Sequence, residues 1–272
     1  MKRHALPALV ARSLARGRSV YAAAFVILAA FQVLLVVVAS SFQQMRTFDL
    51  VSAMMPMGVQ QAFGPSALML ASFPGIVSFG YFHPVIVIAV LLLAAYAATE
   101  PAGEVEWGLF DLELSRPVRR RTVVTRSVLV SLGVSTGAVG TMVAGTWAGL
   151  AALAPAGAQW PMPARVFSLA AHLLLTAWVF GAAGLAAGAW ARRRGTAFGA
   201  VAVALVFFDL LNFLADAWPR AARLRPWTPF HYFPGFAVAN GAAPVARDLT
   251  VLAAVAAVLV AAAYWRFERR DL

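Results

Sequence analysis

The stretch Glu104-Val-Glu-Trp-Gly-Leu-Phe-Asp-Leu-Glu-Leu-Ser-Arg-Pro-Val-Arg-Arg-Arg121 is a dense run of charge between two long apolar segments. Acidic residues come first in it, and four arginines come last. The flanking apolar segments, residues 76–99 and 123–150, are long enough to cross a bilayer, which takes roughly 20 apolar residues. The stretch is therefore predicted to connect two membrane spans.

Four further apolar segments have the length of a membrane span, at about residues 20–40, 166–190, 196–215 and 245–265. The chain is 62% hydrophobic and only 12% charged, whereas soluble domains carry about 25% charged residues. We therefore predict an all-α integral membrane protein with six transmembrane helices, forming a single transmembrane domain over residues 1–272.

The arginines predict the orientation. With both termini cytoplasmic, 16 of the 22 Lys and Arg residues lie inside and six lie outside, in agreement with the positive-inside rule. The basic residues flank apolar runs, which is typical of membrane topology rather than of a nucleic-acid interface. We expect membrane lipid, and no nucleic acid, as a partner.

The leader, residues 2–19, places Leu6, Val10 and Leu14 on one helical face and Arg12 and Arg16 on another. It is predicted to be an N-terminal helix lying in the cytoplasmic interface. A solvated basic tail is the open alternative.

Two long segments are predicted outside. Residues 41–75 are apolar but broken by Gly and Pro, and are expected to lie on or dip into the outer leaflet. Residues 216–247 combine repeated Pro with aromatic residues, which predicts a structured outer cap or an interfacial aromatic belt. Within the spans, pairs of glycines four residues apart predict close helix packing: Gly133 and Gly137, Gly145 and Gly149, Gly184 and Gly188.

Asp209 and Asn212 lie three residues apart within the fifth apolar segment, on one helical face. A carboxylate at the centre of a membrane helix costs roughly 2.5–3.5 kcal/mol on insertion scales, so such residues are often functional. One interpretation is a solvated group near the outer interface, paired with Arg220 or Arg223. The other is an intramembrane polar site that serves a proton relay or a substrate.

Enzymatic chemistry on this chain is not predicted. It has no Cys, and its histidines, His4, His83, His172 and His231, lie in four separate regions with no metal-ligand spacing. The chain also lacks a Walker-type phosphate loop. We predict no catalytic, cofactor-binding or metal-binding residues, and His172 is expected to be a core or helix–helix hydrogen-bonding residue.

Residues 100–121, which contain five acids from Glu100 to Glu113, have the order of charge that favours a helix, with acids at the positive end of the dipole and bases at the negative end. Val105, Leu109 and Leu112 share a face, and Pro117 ends or kinks the helix. A short amphipathic helix is therefore predicted on the cytoplasmic side. A loop that only sets topology would need arginines, but neither five acids nor Trp107.

This stretch resembles the signature of type 2 ABC transporter permeases. The resemblance is sharpest over residues 54–126, where Met55-Pro-Met57, Phe63-Gly64 and Tyr81-Phe-His-Pro84 are also similar to the family. Leu109 stands where a Thr commonly follows the Gly, and Glu113 interrupts a Leu-rich run. Within the signature itself the matching residues are Glu104, Glu106, Gly108, Leu109 to Leu114, Ser115-Arg-Pro-Val118 and Arg119 to Arg121.

The resemblance implies a permease subunit of an exporter in the bacterial inner membrane, forming the translocation path as a homodimer. ATP and Mg are expected in a separate ATP-binding cassette ATPase subunit. The loop would be the coupling helix that contacts this ATPase, through Glu104, Glu106, Trp107, Gly108, Leu109, Phe110, Asp111, Glu113, Ser115, Arg116 and Pro117. The alternatives are a proton-coupled secondary transporter that uses Asp209, or a non-transport membrane scaffold.

Overall fold

The computed structural model describes residues 5–45, 72–108, 120–242 and 246–269, and within these ranges it is helical without any strand. The α-helices are α1 (Ala5–Gln44), α2 (Phe73–Phe79), α3 (Pro84–Ala98), α4 (Glu100–Glu106), α5 (Arg120–Leu153), α6 (Pro163–Trp190), α7 (Arg194–Ala217), α8 (Pro219–Ala222), α9 (Gly235–Ala239) and α10 (Ala246–Glu268). Two 3₁₀-helices, Arg225–Trp227 and Pro229–Tyr232, lie between α8 and α9.

Six of these segments are long and apolar enough to cross a membrane: α1, α2 together with α3, α5, α6, α7 and α10. The predicted all-α class and six spans are confirmed, and the ends of the last four helices lie within a few residues of the predicted ones. Apolar run length predicts spans well because the bilayer requires each crossing segment to satisfy its own backbone hydrogen bonds. The cytoplasmic location of the termini stays a prediction.

The leader is helical, but it is not a separate interfacial helix. Helix α1 runs without a break from Ala5 to Gln44, and its 40 residues extend about 60 Å. That is about twice the 30 Å thickness of the hydrocarbon core. The basic first turns of α1 are therefore a rigid extension of the first span.

The second span is broken near its start. Helix α2 ends at Phe79 and α3 begins at Pro84, because proline lacks the amide proton that a continuous helix needs and disfavours helical geometry in the preceding residue. His83 is accordingly extended, with φ −62° and ψ 123°. The segment between the two helices places Tyr81 and Phe82 in the core.

Helices α3 and α6 form the centre of the bundle, where Val90, Leu91 and Ala94 pack with Leu173 and Phe180 in one buried cluster. Helix α5 adds one side of this core, and α1 lies along α5. Helices α7 and α10 bury few of their residues and lie at the periphery. The lipid or a second chain would cover these faces.

Two of the predicted glycine pairs lie at helix crossings. An added Cβ at Gly145 would come within 2.7 Å of the Ala29 carbonyl oxygen, so α5 and α1 touch backbone to backbone there. At Gly184 it would come within 3.0 Å of the Ala95 carbonyl oxygen, on α3. Gly133, by contrast, faces open space. Small residues allow this close approach, which is a main source of helix association in lipid.

The segment after α7 forms a cap of short helices, as the repeated prolines predict. Phe230 is buried against Phe180 of α6 with ring centroids 5.8 Å apart, and Phe236 lies 4.8 Å from Phe82. Trp227 remains 79% exposed. The cap therefore combines a structured, buried side with an exposed aromatic side. The predicted outer segment of residues 41–75 lies outside the described residues, except at its two ends.

Candidate functional site

Helix α4 contains the first part of the predicted coupling stretch. It follows α3 after a small bend at Thr99, with Pro101 in its first turn and Glu100 at its positive dipole end. Gly108, at φ +65°, stands just beyond its last turn in the left-handed conformation that favours glycine. The described part of the stretch stops there. Leu109, Phe110, Asp111, Glu113, Ser115, Arg116 and Pro117 lie outside the described residues.

A buried ion pair joins α4 to α5. Arg126 donates two hydrogen bonds to Glu104, of 2.9 Å to Oε1 and 2.6 Å to Oε2. Both side chains are only 1% exposed. Parallel, charge-assisted bonds of this kind are both strong and directional. Glu104 is therefore an internal anchor of α4 and does not present its carboxylate at the surface.

A second set of contacts joins α4 to the basic extension of α1. Arg16 Nη1 donates to Glu100 Oε1 at 2.9 Å and approaches Glu104 Oε1 at 3.4 Å. The Glu100 side chain is 7% exposed, whereas Arg16 is partly exposed at 31%. Because α1 is one continuous helix, this contact connects α4 directly to the first span.

The start of α7 supplies the third attachment. The backbone amide of Arg194 donates a hydrogen bond to Glu106 Oε2 at 3.0 Å. The side chain of Arg194 donates a second one, from Nη2 to the Tyr96 carbonyl oxygen, at 2.9 Å. Its guanidinium lies 4.0 Å from the centroid of the Tyr96 ring, in cation–π geometry. Gly103 makes room for the Arg194 stem, since an added Cβ would lie 3.3 Å from its Cδ.

The exposed edge of α4 is formed by Glu106, Trp107 and Gly108, and Trp107 is 61% exposed. Helix α4 therefore has an anchored side and an accessible side. The anchored side reaches α1 and α5 through ion pairs, Glu106 accepts a hydrogen bond from the backbone of α7, and the accessible side leads into the rest of the predicted coupling stretch. The geometry can pass a displacement of the accessible edge to three membrane helices.

Sequence reasoning did not identify Arg16, Arg126 and Arg194 as partners of α4. Arg126 carried a signal, because it lies inside the apolar segment 123–150, where an unpaired charge is unfavourable. Arg16 and Arg194 lie more than 80 residues from their partners, and no sequence pattern connects them.

Asp209 lies elsewhere, 15 residues beyond Arg194 along α7 and so about 22 Å from α4's attachment to that helix. It is half-buried and lines a cavity of about 120 Å³ formed with α3 and the cap. Among the described ion pairs, none joins Asp209 to Arg220 or Arg223. Asn212 is half-buried one turn further along.

His172 is 1% exposed, and its Nδ1 lies 2.8 Å from the Ser168 carbonyl of its own helix. It is a core residue, as predicted, and this bond is within α6 rather than between helices. Within the described ranges, no group of three or more His, Asp or Glu residues is placed to hold a metal ion.

Residues 12–272 match the protein family described as ABC-2 family transporter protein. The match covers nearly the whole chain and includes all six spans, α4 and the cap. No curated protein shows a significant match to the chain.

Proposed function

Because this chain belongs to the ABC-2 transporter family, whose members are membrane-spanning permease components, we propose that it couples to a separate ATPase subunit and exports its substrate. ATP and Mg would bind that subunit. The multi-pass membrane protein would act in a bacterial inner membrane. This chain would contribute the translocation path, and its helix α4 would transmit movement to that path.

The attachment of α4 is the observation that supports coupling. A docking element transmits motion only if it moves as one body with the spans, and a flexible loop would dissipate the displacement. Helix α4 is held by the buried Glu104–Arg126 pair, by the ion pair of Glu100 with Arg16 of α1, and by the hydrogen bond from the Arg194 backbone amide of α7 to Glu106. Trp107 at its exposed edge is the type of residue that often dominates binding energy at protein interfaces.

A second copy of the chain would complete the transporter. Helix α7 exposes Val203, Phe207, Leu210 and Phe213, spaced by four, three and three residues and hence on one face. Each is at least 58% exposed. Pairing of such faces in a homodimer would place two copies of α4 on the same side of the membrane, one for each ATPase chain.

The test is co-purification of the permease with its ATPase subunit, followed by ATPase assays in proteoliposomes. Trp107→Ala removes an exposed side chain and should leave the permease fold intact. We expect its affinity for the ATPase to fall by about 2 kcal/mol, or roughly thirtyfold. Trp227→Ala, an exposed Trp in the cap, is the matched control. Unchanged binding and unchanged ATPase stimulation in Trp107→Ala would show that α4 is not the docking element.

Asp209 supports a second candidate, a transporter driven by protons, because it is an intramembrane carboxylate without a described ion pair. This candidate predicts uptake or efflux driven by a pH gradient in proteoliposomes that contain the permease alone. Transport that requires the ATPase and ATP would exclude it.

A further inference from the structure

The cavity at Asp209 combines one carboxylate with an aromatic lining. Phe82, from the break between α2 and α3, contributes one wall, and three cap residues, Phe230, Phe233 and Phe236, contribute another. Pro84, Val87 and Ile88 of α3 complete the apolar surface. Asp209 is the one carboxylate among the described residues of this lining, and charged residues within membrane spans are rare and retained mainly for function.

This lining suits a positive ligand. The face of an aromatic ring carries negative electrostatic potential and attracts cations, and methylated ammonium groups are commonly bound in aromatic cages. The carboxylate adds a full negative charge at the same place. A neutral or anionic ligand would leave Asp209 without compensation among apolar groups.

We propose that this cavity binds the ammonium head of an amphipathic organic cation, and that such cations are the substrate class of this permease. The substrate assignment rests on the proposed transport function, whereas the binding site does not depend on the ATPase.

The size of the cavity limits what enters it. Its volume of about 120 Å³ is somewhat smaller than the roughly 150 Å³ of an engineered cavity that holds benzene. It accommodates a small ammonium group and not a whole drug-sized molecule. Val206, one turn before Asp209 on α7 and not among the residues of the proposed pairing face, is 50% exposed. The apolar remainder of the ligand can therefore lie along α7 in the bilayer.

Packing around Phe82 fixes the position of one wall of the cavity. Phe82 is 8% exposed and lies against Phe79, Phe236 and Gly235. An added Cβ at Gly235 would come within 2.5 Å of Phe82 Cβ, so glycine allows the cap to approach this closely. The rings are thus positioned by packing rather than by the ligand.

The experiment uses the permease alone in dodecyl maltoside, an uncharged detergent without an ammonium group. Hexyltrimethylammonium is titrated by isothermal calorimetry, with octan-1-ol as the uncharged amphiphile and empty micelles as the blank. We expect saturable binding of the cation and none of the alcohol. D209N, a change of similar shape, should weaken binding about tenfold or more, and F233L or F236L about three- to tenfold.

The matched control is F167L, which removes an exposed ring of α6 outside the cavity and should bind as the wild type does. Wild-type affinity in D209N, or equal binding of octan-1-ol, would overturn the proposal. If D209N were not monodisperse, F233L and F236L would decide the question on their own, because unchanged affinity in both overturns the proposal.

A competition experiment identifies the source of the bound ammonium group. If added phosphatidylethanolamine displaces hexyltrimethylammonium, the natural ligand is a lipid headgroup. If it does not, the natural ligand is a soluble amine. Failure of ATPase docking would not change any of these results.

Discussion

The Glu104–Arg126 pair permits a quantitative prediction about the anchoring of α4. Both side chains are 1% exposed and share two hydrogen bonds. Replacing either one with Met removes both short hydrogen bonds from the other buried charge, a loss that destabilises a protein by up to about 3–5 kcal/mol. In Arg126→Met the Glu104 carboxylate keeps only the longer 3.4 Å contact with Arg16. Total folding stabilities are about 5–15 kcal/mol, so each single variant should lose a large part of the stability.

The double variant, Glu104→Met with Arg126→Met, should be more stable than either single one. It removes both charges together and fills their volume with an apolar side chain, a replacement that is often neutral in buried pairs. Arg16 keeps its 2.9 Å contact with Glu100 in this variant, so α4 stays attached to α1.

The assay is the free energy of unfolding in mixed micelles titrated with SDS, followed by circular dichroism. Arg121→Met is the control, because its partner Glu268 forms an exposed pair at the same end of α5, and exposed pairs contribute little. Two results would refute the conclusion that this pair anchors α4 as a buried unit. One is a loss of unfolding free energy in the double variant equal to the sum of the two single losses. The other is single variants as stable as the wild type.

Two further predictions concern packing and pH. Gly145→Val should destabilise the contact of α5 with the Ala29 backbone by about 1–3 kcal/mol. Gly133 faces open space, so Gly133→Ala should not destabilise the protein. Equal effects of the two variants in the same SDS titration would contradict this packing. Burial, with a contribution from Arg225, lowers the pKa of His231 in the cap below its ordinary value of 6.5. As the pH falls, the imidazole of His231 is protonated in the unfolded chain before it is protonated in the folded one. The cap should therefore lose stability as the pH falls through 6.5. An NMR titration of the ring should show a pKa below 6.5, and a value above it would contradict the prediction.

Local properties explain why the spans could be predicted. A transmembrane helix makes its backbone hydrogen bonds within itself, so the length of an apolar run nearly sets where the helix begins and ends. Helices α5, α6, α7 and α10 follow that rule. The break before Pro84 likewise follows from one residue. The continuity of α1 could not be predicted in this way, because a basic amphipathic leader can join the first span through a bend or as a straight helix. In the structure the two are one straight helix, and Arg16 attaches the leader to α4.

Local sequence patterns are enough to establish the class of this protein: six apolar segments, a basic bias in their connections and a charged stretch after the second span. They also single out Asp209 as a residue that needs an explanation. The partners of these charged groups follow from how the helices pack. Glu104 contacts Arg126 and Arg16, and Asp209 lines the same cavity as the rings of the cap. Periodicity and composition describe one helix at a time, while these contacts depend on which faces of different helices pack together.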